Sequence, residues 1–484
     1  MSPDFPEEQN DSNQPGDEVP AASEWVGWPK PKLYLIGYGP GDRALMTSQA
    51  AAAISQATRV FSTKRGAQDD LDIKAMSLRN LYARLRQPEW EPTAVLVSGD
   101  PGFYSITRTL IDDFAKTYDI EVIPGISSIA YLSAKMQIAY QDAVLTSLDS
   151  RNELIVPIVA YNSRVFVLTG PGHQAAHICH HLDRYGLGNV RVTVGEFLSY
   201  PDERITTDTA SELKDLDFDD LSVVYIQNDA AAEHSLPLEN SEFFGQRSQS
   251  ANVAQRETLA GTELRWLVVA RMKVKPTDIV YTMTTDAGAM AVELARRAYR
   301  GLVYTIEDDV EQRRLIERNR KRHRAFNLEI VAGKPVQAFS MLPIPDKVLI
   351  NAEAFDVEAA LRYLLALNPE TYVVLYMQSL NSLLRTADCL DRLGFRETDM
   401  VMLNTAQAQQ PGKEITLAIN NPVFIVYGQF IDLSHDGELS VADDEEANPG
   451  HDESGENQFG RRGLLSRLLS RFELAADDDD ANDD

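Results

Sequence analysis

Ser98-Gly99-Asp100-Pro101-Gly102-Phe103-Tyr104-Ser105 decides how this chain is read, together with Pro124-Gly125-Ile126-Ser127-Ser128 downstream. Each stretch follows a short apolar run, Ala94 to Val97 and Ile120 to Ile123, with the composition of a strand. Glycines and small hydroxyl residues at a strand end let backbone come close to a ligand. A third turn of the same kind, Gly37-Tyr38-Gly39-Pro40-Gly41-Asp42, follows the strand-like Lys32 to Ile36 and leads into a helix through Ala50 to Ala57. It has neither the lysine of a phosphate loop nor the G-x-G-x-x-G spacing of a dinucleotide fold, so alone it admits a tight turn or a ligand site. Turns that follow parallel strands share the carboxyl edge of the sheet, where ligands bind, and this predicts one common site.

The rest of the first half continues as an α/β pattern. A helix over Ile129 to Met136 leads to Asp142-Ala143-Val144-Leu145-Thr146-Ser147-Leu148; a strand over Arg164 to Leu168 runs into Thr169-Gly170. A helix over Ala175 to Arg184, a strand over Val190 to Val194, the Gly195-Glu196 and Tyr200-Pro201-Asp202-Glu203-Arg204-Ile205 segments, and a last strand over Ser222 to Gln227 complete it.

A chain of 484 residues exceeds one hydrophobic core and predicts two or three domains plus tails. With 44% hydrophobic and 25% charged residues it has the composition of a soluble globular protein. No apolar run approaches the ~20 residues of a membrane span, and the acidic start lacks the features of a signal peptide, so the expected location is cytoplasmic. Cys179 and Cys389 are too few for a disulfide framework. The net charge of −27 is concentrated at the ends: residues 1–24 contribute −7 and residues 432–484 contribute −13. The middle therefore lacks the strongly basic face of a nucleic-acid-binding protein.

These five motifs, Gly37–Asp42, Ser98–Ser105, Pro124–Ser128, Asp142–Leu148 and Gly195–Ile205, in this order, resemble the tetrapyrrole methylase family, and in particular the N-terminal, C5-methylating part of the precorrin-6Y methyltransferases of cobalamin biosynthesis. The resemblance covers about residues 32–228. It implies a fold of two α/β halves that hold S-adenosylmethionine between them and methylate a carboxylate-rich precorrin. Carried over, it places Pro40, Ser98, Gly99, Asp100, Phe103, Ser127 and Ser128 around the cofactor, with Thr169 as a further contact. Backbone N–H groups and hydroxyls suit a zwitterionic amino-acid end, and methyl transfer needs alignment more than a strong base. Asp100 could instead cap the following helix. Arg43, Arg65, Arg108 and Arg151 are the cations nearest these loops in sequence and candidates for substrate carboxylates. His173, His177 and His180 share one helix face beside His181 and Cys179, but only Asp183 accompanies them, and no metal is expected.

Residues 229–256 are polar and read as a linker, with 31–230 as the first domain, 231–257 as the connection and 258–431 as the second domain. A helix over Leu259 to Met272, strands at Ile279 to Met283, Val303 to Ile306, Leu328 to Val331, Lys347 to Ile350, Tyr372 to Tyr376 and Val423 to Tyr427, and a helix over Ala289 to Arg297 resemble a Rossmann-like class I methyltransferase domain. The closer resemblance is to the C15-methylating, decarboxylating part of the same enzymes, through Pro276-Thr277-Asp278, Ala291-Val292-Glu293-Leu294-Ala295, Val303-Tyr304-Thr305-Ile306-Glu307 and Pro345-Asp346. Where that family has Asp-Ile-Gly-Ala-Gly-Ser-Gly, this chain has Thr282-Met283-Thr284-Thr285-Asp286-Ala287-Gly288. The departure predicts weak or absent cofactor binding in this domain.

Residues 1–30 and 432–484 read as disordered acidic tails, the second with an amphipathic segment, Arg461 to Phe472, suited to docking on a partner. The resemblance further implies a homo-oligomer and other enzymes of the corrin pathway as partners. A non-catalytic carrier or assembly protein that retains the fold and binds tetrapyrroles is the alternative, favoured by the eroded loop and opposed by the intact first three turns.

Overall fold

The computed structural model describes residues 29–62, 73, 76–148, 154–170, 174–220, 222–245, 262–409, 416–419 and 421–430. The tails, Arg65, Arg151, His173, the 461–472 segment and residues 246–261 lie outside them. The contacts divide into two units: 1–151, 164–183 and 188–227 form the first, and 152–163, 184–187 and 228–484 form the second.

Among the described residues, the first unit contains two sheets. β1 (Lys32–Gly37), β2 (Arg59–Ser62), β3 (Thr93–Val97) and β4 (Asp119–Ile123) form a four-stranded sheet in the order β2-β3-β1-β4. Every pairing in it is parallel. A parallel sheet is covered on both faces, and β1 shows this directly. Leu33 and Leu35 pack with Val95, Leu110 and Phe114 on one side, while Ile36 packs with Ala50, Ala53 and Leu96 on the other. The three ligand-type turns thus leave β1, β3 and β4 at one carboxyl edge.

β5 (Val144–Ser147), β6 (Arg164–Leu168), β7 (Arg191–Glu196), β8 (Arg204–Thr209) and β9 (Ser222–Gln227) form the second sheet, ordered β5-β6-β9-β7-β8. Only β5 and β6 are parallel; β9 runs antiparallel to β6 and β7, and β7 antiparallel to β8. The helix Ser128–Met136 joins the sheets, burying Ile129 and Leu132 against Phe166, Leu198, Val223 and Tyr225.

In the second unit β10 (Ile279–Met283), β11 (Leu302–Glu307), β12 (Leu328–Ala332), β13 (Lys347–Asn351), β14 (Tyr372–Met377), β15 (Phe395–Leu403) and β18 (Val423–Phe430) make a seven-stranded sheet, with a separate hairpin of β16 (Ala406–Gln409) and β17 (Thr416–Ile419). The order β12-β11-β10-β13-β14-β18-β15 puts β10 where the strand sequence reverses direction. Its five leading strands pair in parallel, and β18 is antiparallel to β14 and β15.

A buried ion cluster anchors residues 233–245, which the sequence reads as part of a linker, to this unit. Glu293 lies 3.6 Å from Arg265 and 3.2 Å from Arg296, all three nearly fully buried. Glu293 also accepts from the Leu238 N–H at 2.7 Å, and the arginines donate to the Leu238 and Glu233 carbonyls. Phe243 joins the apolar core beneath. Among the described residues no helix is long and apolar enough to cross a membrane.

Candidate active site

The turns after β1, β3 and β4 converge because glycines occupy the points of closest approach. A Cβ on Gly37 would fall 2.5 Å from the Gly125 nitrogen, and one on Gly125 would fall 2.4 Å from the Gly99 carbonyl oxygen. Neither separation is one that real side chains adopt, so the three strand ends can meet only as bare backbone. Gly39 and Gly99, both with positive φ, exchange two backbone hydrogen bonds of 3.2 and 2.9 Å. The first two turns are thereby locked together.

Above them lies a cavity of about 390 Å³, lined from the first sheet by Pro40, Ser98, Gly99, Asp100, Phe103, Ser127 and Ser128, and from the second by Thr169. These are all eight residues named from the sequence as cofactor contacts. Ser127 caps the helix Ser128–Met136 by accepting from the Ala130 N–H at 3.1 Å, so the start of that helix faces the cavity. Asp100 is not a helix cap. Its Oδ1 accepts from the Gly102 N–H at 2.8 Å, closing a local turn, while the following helix, Thr107–Phe114, has Ile106 at its N-cap and no side-chain cap. Thr169 is engaged elsewhere: its hydroxyl accepts from the Ser222 N–H and donates to the Asp220 or Ser222 carbonyl, each at 2.8 Å, fastening β6 to β9. It serves the cavity as wall.

The opposite wall was not assigned from the sequence. It includes Ser147, Gly195, Phe197, Leu198, Tyr200 and Asp219. Phe197 and Ser199 adopt positive φ, as does Tyr104 in the second turn. Strained backbone of this kind clusters at ligand sites, and here it displays Phe197 and Tyr104, 45% and 38% exposed, along the cavity. Tyr104 also donates through its hydroxyl to the Leu145 carbonyl at 3.2 Å, tying the second turn to β5. The Gly195–Ile205 motif carried the signal for this wall, but which of its side chains face inward depends on the φ values.

Glu196, at the end of β7, holds the wall in place. Its buried carboxylate accepts from Arg204 at 2.6 and 2.7 Å and from the Asp219 N–H at 2.9 Å. Burial alone would raise its pKa, but these bonds outweigh burial and hold it below the usual range.

Among the described residues, neither candidate cation lines the cavity. Arg43 is exposed and absent from its lining, and Arg108 is exposed, 3.9 Å from Asp112 on its own helix. On the helix Ala175–Arg184, His177 and His181 approach each other to 3.0 Å between ring nitrogens, and among the described residues no three His, Cys, Asp or Glu side chains form a metal-type group.

This donor set fits a zwitterionic, nucleoside-bearing cofactor: bare glycine backbone, hydroxyls, the carboxylates of Asp100 and Asp219, and apolar walls. Comparison with known proteins agrees. Residues 32–214 match the family Tetrapyrrole (Corrin/Porphyrin) Methylases, and residues 253–427 match the family Precorrin methyltransferase domain. A probable cobalt-precorrin-7 C(5)-methyltransferase of Methanocaldococcus jannaschii is 29% identical over 211 residues, 41% of this chain and 98% of the relative. A cobalt-precorrin-7 C(5)-methyltransferase of Salmonella typhimurium is 31% identical over 182 residues, covering 36% of this chain and 88% of the relative. A precorrin-6Y C(5,15)-methyltransferase (decarboxylating) of a Sinorhizobium species is 26% identical over 352 residues, covering 69% and 82%. The chain therefore belongs to the tetrapyrrole methylase family of S-adenosylmethionine-dependent enzymes and is a precorrin methyltransferase of cobalamin biosynthesis.

Proposed function

We propose that the first unit methylates C5 of a macrocycle of the precorrin-6Y or cobalt-precorrin-7 type, using the cavity between its two sheets. The observation that carries this reading is the convergence of Pro40, Ser98, Gly99, Asp100, Phe103, Ser127 and Ser128 on one cavity. The named activities of the C5-methylating relatives, similar over 41% and 36% of this chain, supply the position on the ring.

S-adenosylmethionine, when bound, supplies an electrophilic methyl group on sulfur. The residues of the three turns bind its amino-acid and nucleoside parts through N–H groups and hydroxyls. Asp100, beside them, offers a carboxylate to the cationic end. Phe197 and Tyr104 give the flat macrocycle apolar surfaces to lie against, and together the walls exclude water. The reduced macrocycle provides its own electron-rich carbon, so the protein's contribution is alignment, which can lower the barrier by about 7–11 kcal/mol. Residues 31–230 would form this catalytic domain, and 258–431 a separate class I methyltransferase-like domain.

The test is incubation of the full-length protein with methyl-labelled S-adenosylmethionine and a reduced precorrin. Transfer of label to the macrocycle supports the reading. Binding of the macrocycle without transfer would favour a carrier.

A further inference from the structure

The precorrin methyltransferase family of the second unit implies a second S-adenosylmethionine site, and the residues present do not fit one. In an open parallel sheet such a ligand sits at the carboxyl ends of the strands where the order reverses, with a glycine-rich turn admitting it to the start of the next helix. Here that place is the end of β10, the segment Thr284–Gly288, and the helix Ala289–Arg297.

The chain fills this place itself. Asp286 turns its carboxylate onto the start of the helix, where Oδ2 accepts from the Met290 N–H at 2.7 Å and Oδ1 from the Thr284 hydroxyl at 2.8 Å. It is 8% exposed. Burial drives its pKa upward, with Arg265 and the buried Tyr376 as the charged and titratable neighbours on the surrounding elements. An external anionic group would have to displace a side chain already bonded to that helix.

The crevice beside it is also tied across. Asn351, at the end of β13, donates from Nδ2 to the Thr285 hydroxyl at 3.1 Å and accepts from the Glu353 N–H at 3.0 Å. Its two polar ends are spent on the loops that a ligand would need to part. The remaining glycine, Gly288, has φ of +77°, and a Cβ on it would fall 2.8 Å from Ile316. Contact with the neighbouring helix Val310–Arg322 accounts for its being glycine. Glu307, the acid at the end of β11, accepts from the Asp309 N–H at 2.9 Å.

We propose that the second unit binds no S-adenosylmethionine, its cofactor place being occupied by the Asp286 carboxylate and the Asn351–Thr285 bond. The chain is then a single-site methyltransferase that adds one methyl group and does not decarboxylate its substrate. This rests on the reading of the first unit as the working site.

Equilibrium dialysis of the full-length protein against labelled S-adenosylmethionine tests it. Saturation at one equivalent per chain, lost in Pro40→Trp, is the expected result. Two equivalents in the wild type, or one kept by a folded Pro40→Trp chain, overturns the proposal. No binding by the wild type removes the first-unit reading instead, so the two failures are distinguishable. Product mass gives a second readout independent of any variant: gain of one methyl is expected, and a second methyl with loss of carbon dioxide overturns it.

Discussion

The backbone N–H of Asp42 donates to the Ser199 hydroxyl at 2.8 Å, joining residues 157 positions apart across the candidate site. Ser199 is itself held by Glu203, which accepts from its N–H at 2.7 Å and pairs with Lys135 at 2.8 Å. Lys135 lies on the helix capped by Ser127. One chain of contacts thus sets the first turn, the third turn and the opposite wall together. Removing the Ser199 hydroxyl should release the first turn; one hydrogen bond is worth about 1 kcal/mol. Ser199→Ala is expected to raise the KM for S-adenosylmethionine about fivefold with a small change in melting temperature, checked by initial rates and thermal denaturation.

Gly41 lies under the Tyr200 ring, where a Cβ would come within 2.2 Å of the ring carbons. Gly41→Ala must push Tyr200 off the first turn and shift the wall. A displacement of about 1 Å near the reacting groups can cost about a hundredfold in rate. Gly41→Ala is therefore expected to reduce kcat/KM by about two orders of magnitude, and Gly41→Ala combined with Tyr200→Ala to recover part of the loss. Steady-state kinetics of the pair checks this.

The turns at Gly37–Asp42, Ser98–Ser105 and Pro124–Ser128 were legible in the sequence because glycine and hydroxyl residues directly after apolar runs report a local backbone requirement. Most strands of both units were legible for the same reason: their signal is local. The opposite wall was not. Phe197 and Tyr104 face the cavity through positive φ values that no residue type at those positions announces, and the Asp42–Ser199 bond links distant parts of the chain. The antiparallel placement of β7 and β9 and the edge strand β15 also depend on distant pairing. Residues 233–245 looked like linker because their composition is polar, yet their carbonyls and N–H groups are what the buried Arg265–Glu293–Arg296 cluster requires.

Glu196 gives the first unit a pH dependence of definite sign. Its folded pKa lies below its ordinary value of 4.5 because of Arg204 and the Asp219 N–H, against the opposing effect of burial. A depressed carboxyl stabilises the folded state above the unfolded pKa, and that contribution is lost as pH falls through the folded pKa. Glu196→Gln should therefore melt below the wild type at neutral pH, with the gap narrowing below about pH 4.5. Melting curves across the acid range check it.

Glu293 faces two arginines in the core of the second unit. Removing one partner of a buried ionic cluster leaves uncompensated charge and costs about 3–5 kcal/mol. Glu293→Ala is expected to lower stability by that amount and to increase proteolysis around residues 233–245, read by denaturant melts and limited digestion.

We assign methyl transfer to the first-unit cavity. The direct measurement is transfer of labelled methyl from S-adenosylmethionine to a reduced precorrin by three full-length proteins compared side by side. Wild type and Asp286→Asn are predicted to transfer label at closely similar rates, and Asp100→Ala to transfer none above background. Label transfer retained by Asp100→Ala but abolished in a folded Asp286→Asn protein would contradict the account.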